Sequence, residues 1–280
     1  MKLGDLEFWL ITDGIFRLDG GAMFGVIPRP MWERVSPPDS RNRILMAMNS
    51  LLIRAASKWI LIETGAGDKW DAKRTDIYAF DGPPRLLDKL IVHGVPPEKI
   101  DIVINTHLHF DHCGWNTRLT NGEAIPTFSN ARYIVQRGEF EHAKDPTDRD
   151  RASYFPENFI PMEKSGQWSL LEGDAEVVPG VELIRVPGHN ADMMCVRLTG
   201  GGKTVFFTAD LIPTAAHLSY PWIMGYDLYP LTTLENKKKW IPKAAREEWL
   251  VIFGHEPRTP CGYLREQQEK YVLEPVMLDA

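Results

Sequence analysis

Residues 106–112 read THLHFDH and place His107, His109, Asp111 and His112 within six positions, directly after the apolar run at 101–105. Three imidazoles and a carboxylate this close are costly to bury unless a shared cation satisfies them. Nitrogen and carboxylate oxygen donors side by side suit a borderline metal, zinc first of all. If extended geometry runs on briefly, His107 and His109 project to one side, and a turn then brings Asp111 and His112 round to a second position. A lone histidine is usually a surface or structural residue. Four metal-type side chains in six positions instead point to a metalloenzyme.

Three later positions repeat one pattern, an apolar strand-like run ending in a metal-type residue. VELIRVPGH leads to His189, KTVFFTAD to Asp210 and WLVIFGH to His255. Strand ends on a rigid sheet are the usual address of an active site. With these the chain offers seven donors, more than one tetrahedral zinc shell of four accepts, which favours two metals. His93 and His142 fall on helical segments and read as structural. His217, in TAAHLSYPW, has no strand leading to it; it reads more readily as structural, with a pocket role as the alternative.

The positioning elements follow from periodicity. Strands are expected at 7–14, 15–20, 48–55, 58–64, 101–106, 132–136, 181–186, 193–198, 203–210 and 249–253. The 48–55 and 58–64 pair reads as a hairpin, and 193–198 is joined to 203–210 through Gly200–Gly202. Helices are expected at 83–94, 137–143, 231–247 and 263–273. The Gly- and Pro-rich stretch 19–47 has no clear period, which marks a functional or mobile segment, and 144–166 reads as a charged insertion. No repeat or linker divides the chain, so residues 1–280 are expected to form one layered α/β domain.

The chain has 280 residues, 44% hydrophobic and 25% charged, and a net charge of −6. That balance excludes a general nucleic-acid binder, which needs a basic field. Lys237, Lys238 and Lys239 form the densest basic run, but acidic neighbours make a solvated helix face the expected reading. Asp5 and Glu7 interrupt the start, so no signal peptide is expected. No apolar run reaches the ~18–20 residues of a membrane span. Three separated cysteines disfavour a disulfide framework, and Cys113 is expected to be a buried, inert thiol. A cytoplasmic protein without membrane partners is the resulting expectation.

THLHFDH, the PGH at 187–189, Asp210 and the GH at 254–255 together resemble the metallo-β-lactamase-fold hydrolases, in order and approximate spacing. The resemblance implies an αββα sandwich, two mixed β-sheets flanked by helices, with a dinuclear site along one edge. It implies that His107, His109 and His189 hold one divalent ion and Asp111, His112 and His255 the other, with Asp210 bridging. Zinc is the first expectation, with manganese, iron or cobalt as alternatives. Asp111 is also the catalytic candidate, orienting a metal-bridging hydroxide. No G-x-S-x-G elbow, P-loop or dinucleotide fingerprint is present to support other chemistry.

GGAMFGVIPRPMW, residues 20–32, also resembles the entrance segment of the branch with N-acyl homoserine lactonases and methyl parathion hydrolase. That branch implies a small, apolar ester, lactone or phosphoester substrate and a lactonase with promiscuous esterase and organophosphate hydrolase activity. Met23, Phe24, His217, Trp222, Met224 and Tyr226 are the pocket candidates, with core packing an equal alternative for the apolar ones. The Trp, Met and Phe side chains of 19–47 could equally line a homodimer interface. Two positions depart from the family pattern. Met193 stands where many members have a second histidine, and Pro213 where some lactonases have a tyrosine; Tyr220, Tyr226 or His217 would have to serve instead. The rival readings are a glyoxalase-II-like thioesterase or phosphodiesterase, a mononuclear iron dioxygenase, and a non-catalytic metal-bound sensor.

Overall fold

The computed structural model describes residues 1–278. Two seven-stranded sheets dominate it. The first runs, in spatial order, Lys2–Leu3, Leu6–Asp19, Arg43–Ala55, Lys58–Ile62, Ile102–Ile104, Arg132–Gln136 and Trp168–Leu171. Its last four strands are mutually parallel and the others antiparallel. The second runs Ala175–Val178, Val181–Arg185, Met194–Gly200, Lys203–Phe207, Leu250–Ile252, Cys261–Gln267 and Lys270–Pro275. Only the Lys203–Phe207 and Leu250–Ile252 strands pair in parallel. Both sheets are therefore mixed, as expected.

The pleat of one strand shows how the layers are made. Ile60 and Ile62 join Leu183, Val196 and Val205 in the core between the sheets. Leu61, on the other face, packs with Leu86 and Leu90 of helix Leu86–Val92 and with Phe140 of helix Arg137–Lys144. Because both faces are covered, this strand reads as a continuous apolar run rather than an alternating one. On the second sheet, Phe206 stacks on Trp240 of helix Pro230–Arg246 with ring centroids 5.4 Å apart. Helices thus lie outside two packed sheets, the αββα order. Among the described residues no helix is long and apolar enough to cross a membrane.

Asp13 ties the first sheet to the loops at the site. Its buried carboxylate accepts from the backbone of Ala66, Gly67 and Leu86 and from Trp115 Nε1, at 2.9–3.2 Å. It satisfies the N-terminus of helix Leu86–Val92 and the loop after Lys58–Ile62 at once.

Several expected elements differ. The strands at 7–14 and 15–20 are one strand, Leu6–Asp19, with a register shift between Thr12 and Ile15. The aperiodic 19–47 stretch contains two short helices, Gly20–Phe24 and Arg29–Trp32, before Arg43–Ala55 begins. The closing helix at 263–273 is instead a hairpin, Cys261–Gln267 with Lys270–Pro275. Its Glu, Gln, Lys and Leu content favours helix locally, but pairing with Leu250–Ile252 overrides a weak propensity. The turn residues Gln268 and Glu269 have φ of 48° and 62°, with no glycine to announce them. Lys237 is fully buried rather than on a solvated face, while Lys238 and Lys239 are exposed.

Candidate metal centre

The strand Ile102–Ile104 stops short of the THLHFDH run, and its backbone turns instead into the short helix Phe110–Cys113. His109 is the N-cap residue of that turn, and Asp111 and His112 lie within it. His255 follows Leu250–Ile252 and is clamped to the first sheet. Its backbone carbonyl accepts from Ala47 N, and its Nδ1 is 2.8 Å from Ala47 O. Asn49 Nδ2 donates to the carbonyls of Phe253 and Glu256, so the two sheets meet at this donor.

All seven sequence-predicted donors converge, each buried. His109 Nδ1 lies 3.1 Å from His107 Nε2 and 3.0 Å from His189 Nε2. On the other side His112 Nε2 and His255 Nε2 are 3.0 Å apart, with Asp111 Oδ2 3.7 Å from the latter. Asp210 stands between the groups. Its Oδ2 is 3.2 Å from His189 Nε2 and 3.9 Å from His107 Nε2. Its Oδ1 is 3.0 Å from His255 Nε2 and 3.5 Å from His112 Nε2.

These spacings fit cations better than hydrogen bonds. Two nitrogens each ~2.0–2.1 Å from a tetrahedral zinc would be roughly 3.3 Å apart, close to the separations here. Asp210 Oδ1 is buried with no properly oriented donor despite the nearby His255 nitrogen. Electrostatics agree. Burial alone would raise Asp210, but His255, His112 and His189 outweigh it and hold the carboxyl well below its usual range. Burial opposes charge at His189 and His255, yet Asp210 beside each pushes both up to about 9. His107 and His109 are held well below the usual imidazole range, chiefly by burial and then by neighbouring imidazoles. An anionic carboxylate amid imidazole donors is a ready seat for divalent ions.

The donors open into a cavity of about 260 Å³. His109, Asp111, His189, Asp210 and His255 lie at its base, with Met23, Phe110, Met224, Tyr78 and Tyr226 among its walls. Of the pocket candidates, Met23, Met224 and Tyr226 line it; Phe24, His217 and Trp222 do not. Phe24 stacks on His217 at 4.8 Å and meets the Trp222 ring edge-on at 5.4 Å, forming the packing behind the wall. His217 is further occupied by Thr214 and by Met23 O, and burial lowers it to about 3. Tyr220 leans on Tyr271 instead, outside the cavity lining. Cys113 is buried beside Leu108 O, and burial pushes its thiol well up, leaving it inert.

Sequence reasoning missed three contributors. Tyr78 lies on helix Ala72–Tyr78, which was not expected. Glu63 Oε1 lies 3.5 Å from His112 Nδ1, and Asp227 Oδ1 lies 3.0 Å from His189 Nδ1. The available signal was the same for both acids, a carboxylate set inside an otherwise apolar stretch.

Comparison with known proteins agrees with this geometry. Residues 45–255 match the family model described as the Metallo-beta-lactamase superfamily. An N-acyl homoserine lactonase from Bacillus cereus is 32% identical over 167 residues, 58% of either chain, so the match spans under two thirds of that relative. The N-acyl homoserine lactonase AttM of Rhizobium radiobacter is 28% identical over 193 residues, 65% of this chain and 68% of its own. A solved structure described as a probable metal-dependent hydrolase from Staphylococcus aureus superposes with TM-score 0.89 at 28% identity, over 99% of this chain and 100% of that one. AidC, a dizinc quorum-quenching lactonase, shares the fold at TM-score 0.81 and 19% identity, over 100% and 97%. The chain belongs to the metallo-β-lactamase superfamily.

Proposed function

We propose that the chain is a dinuclear lactonase acting on small apolar lactones of the N-acyl homoserine type, with ester and phosphotriester hydrolysis as side activities. One observation supports two ions above all: the two oxygens of Asp210 face two separate groups of donors. In this reading His107, His109 and His189 hold one divalent ion, Asp111, His112 and His255 the other, and Asp210 both; the domain spans 1–280. Zinc fits the nitrogen-rich donor set first. Paired ions, when bound, supply a nucleophile from water near neutral pH and polarise the scissile carbonyl.

The chain's own groups do the rest. Asp111, at the cavity base, accepts a hydrogen bond from the attacking water and orients it. Leu18, Met23, Phe110 and Met224 offer apolar wall to an acyl chain. Tyr78 and Tyr226 bring the phenolic hydroxyls of that wall, and we assign them the carbonyl or leaving-oxygen contact for which Pro213 has no donor.

The relatives' activity on homoserine lactones supports this substrate class over thioesters. The test compares kcat/KM on acyl homoserine lactones of increasing chain length with thioesters and phosphoesters. A lactone preference that rises with acyl length is expected. Equal or better turnover of a thioester or phosphodiester would replace the reading.

A further inference from the structure

Helix Pro230–Arg246 presents Thr233, Asn236 and Lys237 at i, i+3 and i+4, one face of the helix. Thr233 and Lys237 are buried and Asn236 is half-buried, and all three side chains are turned to inward partners. Lys237 Nζ donates to the carbonyls of Ser219, Tyr220 and Trp222, at 2.6, 3.2 and 2.8 Å. Asn236 Nδ2 donates to Pro187 O at 2.7 Å. Thr233 Oγ1 donates to Asp227 Oδ2 at 2.6 Å. One helical face thus holds both the loop that delivers His189 and the 218–230 segment that walls the cavity.

Asp227 is where the two meet. It is 3% exposed, and its second oxygen, Oδ1, lies 3.0 Å from His189 Nδ1. The backbone repeats the link, Leu228 N donating to His189 O and Tyr229 N to Gly188 O, each at 2.9 Å. An imidazole that donates Nδ1–H to a carboxylate keeps its Nε2 lone pair free. That Nε2 points at His109 Nδ1 and Asp210 Oδ2. His107 and His255 have neutral orienting partners, the Thr106 hydroxyl and the Ala47 carbonyl, while His112 Nδ1 faces a second carboxylate, Glu63 Oε1, at the longer distance of 3.5 Å. Met224, Gly225 and Tyr226, immediately before Asp227, line the cavity.

We propose that Asp227 is a positioning residue that fixes His189 as an Nε2 donor and ties that donor to the cavity wall formed by Met224, Gly225 and Tyr226. This rests on the reading of His189 as a ligand. A carboxylate behind a metal-bound histidine sets its tautomer and raises its basicity, and its loss typically costs 10–100-fold in metal affinity. Only the ion on the His189 side should feel it.

The test uses the full chain stripped of metal and titrated with cobalt against a competing chelator, following the visible ligand-field bands. Wild type should take up two equivalents. In Asp227→Asn one of the two should weaken by about 10–100-fold while the other stays within twofold. The thermal midpoint of the metal-free protein checks the fold. Thr233→Val, which removes only the hydroxyl donor to Asp227, should shift the same equivalent in the same direction by less. Wild-type affinity at both equivalents in Asp227→Asn, or equal weakening of both, overturns the role of Asp227 alone. Failure of the wild type to bind any cobalt overturns the underlying reading instead.

Discussion

His255 Nε2 stands 3.0 Å from Asp210 Oδ1, while its Nδ1 is held 2.8 Å from the carbonyl of Ala47. A strand-end histidine of the second sheet is therefore aimed by a mid-strand residue of the first, and it meets a carboxylate that leaves another strand of its own sheet. The site sits where the two sheets are laced together, so its geometry is set by the sandwich as a whole.

Tyr78 and Tyr226 are the cavity's phenolic donors. A hydrogen bond to a charged oxygen contributes about 1.5–3 kcal/mol, which corresponds to roughly 10–100-fold in rate. Tyr226→Phe should lower kcat on the preferred lactone by that factor, with metal content unchanged, and Tyr78→Phe should do so or add to it. Unchanged kcat in both single variants and the double would remove phenols from the reaction.

Glu139 is buried, accepts from Leu108 N at 2.8 Å and from Tyr154 OH at 3.1 Å, and is raised by burial to about 7. Its folded value lies above the unfolded value near 4.5. The stability it contributes is complete below about 4.5 and is lost as pH rises through about 7. Glu139→Gln keeps an acceptor without the charge. Its unfolding free energy should therefore gain on wild type between pH 4.5 and 7.5, by up to about 3 kcal/mol, read from denaturant unfolding across that range. A gap that is flat across this range would contradict the assignment.

Gly188 precedes His189 with φ +151°, and a Cβ there would meet Thr233 Oγ1 at 2.5 Å and its backbone nitrogen at 3.0 Å. Gly188→Ala must push the loop off helix Pro230–Arg246. A loss of about 1–3 kcal/mol in unfolding free energy is expected, together with weaker metal uptake. Wild-type behaviour in both would mean that the loop yields freely.

Much of the site was legible because the donors are consecutive or follow apolar runs, and such runs end where loops begin. Asp227 was not, since an acid set in an apolar stretch hints at burial but does not say which side chain it faces. Phe24, His217 and Trp222 fall on the structural alternative that the sequence left open, because aromatic composition cannot tell the wall of a cavity from the layer behind it. Lys237 shows the same limit, its three acceptors being carbonyls 15–18 residues away. In the fold, the long helix Pro230–Arg246 and most strands followed from periodicity. The final hairpin did not, because long helix-forming side chains occupy it and its turn lacks glycine.

That turn offers its own check. Gln268 and Glu269 both hold left-handed backbone angles. Placing Asn and Gly there, Gln268→Asn with Glu269→Gly, should raise stability by about 1 kcal/mol, read from denaturant unfolding. A helix at 263–273 would instead be weakened by the same change.

The central claim is that two cations share Asp210. Anomalous diffraction from crystals grown with zinc tests it most directly. The account predicts two peaks per chain, roughly 3.5–4 Å apart, one beside Oδ2 with His107, His109 and His189, the other beside Oδ1 with Asp111, His112 and His255. A single peak, or none among these seven side chains, would contradict it.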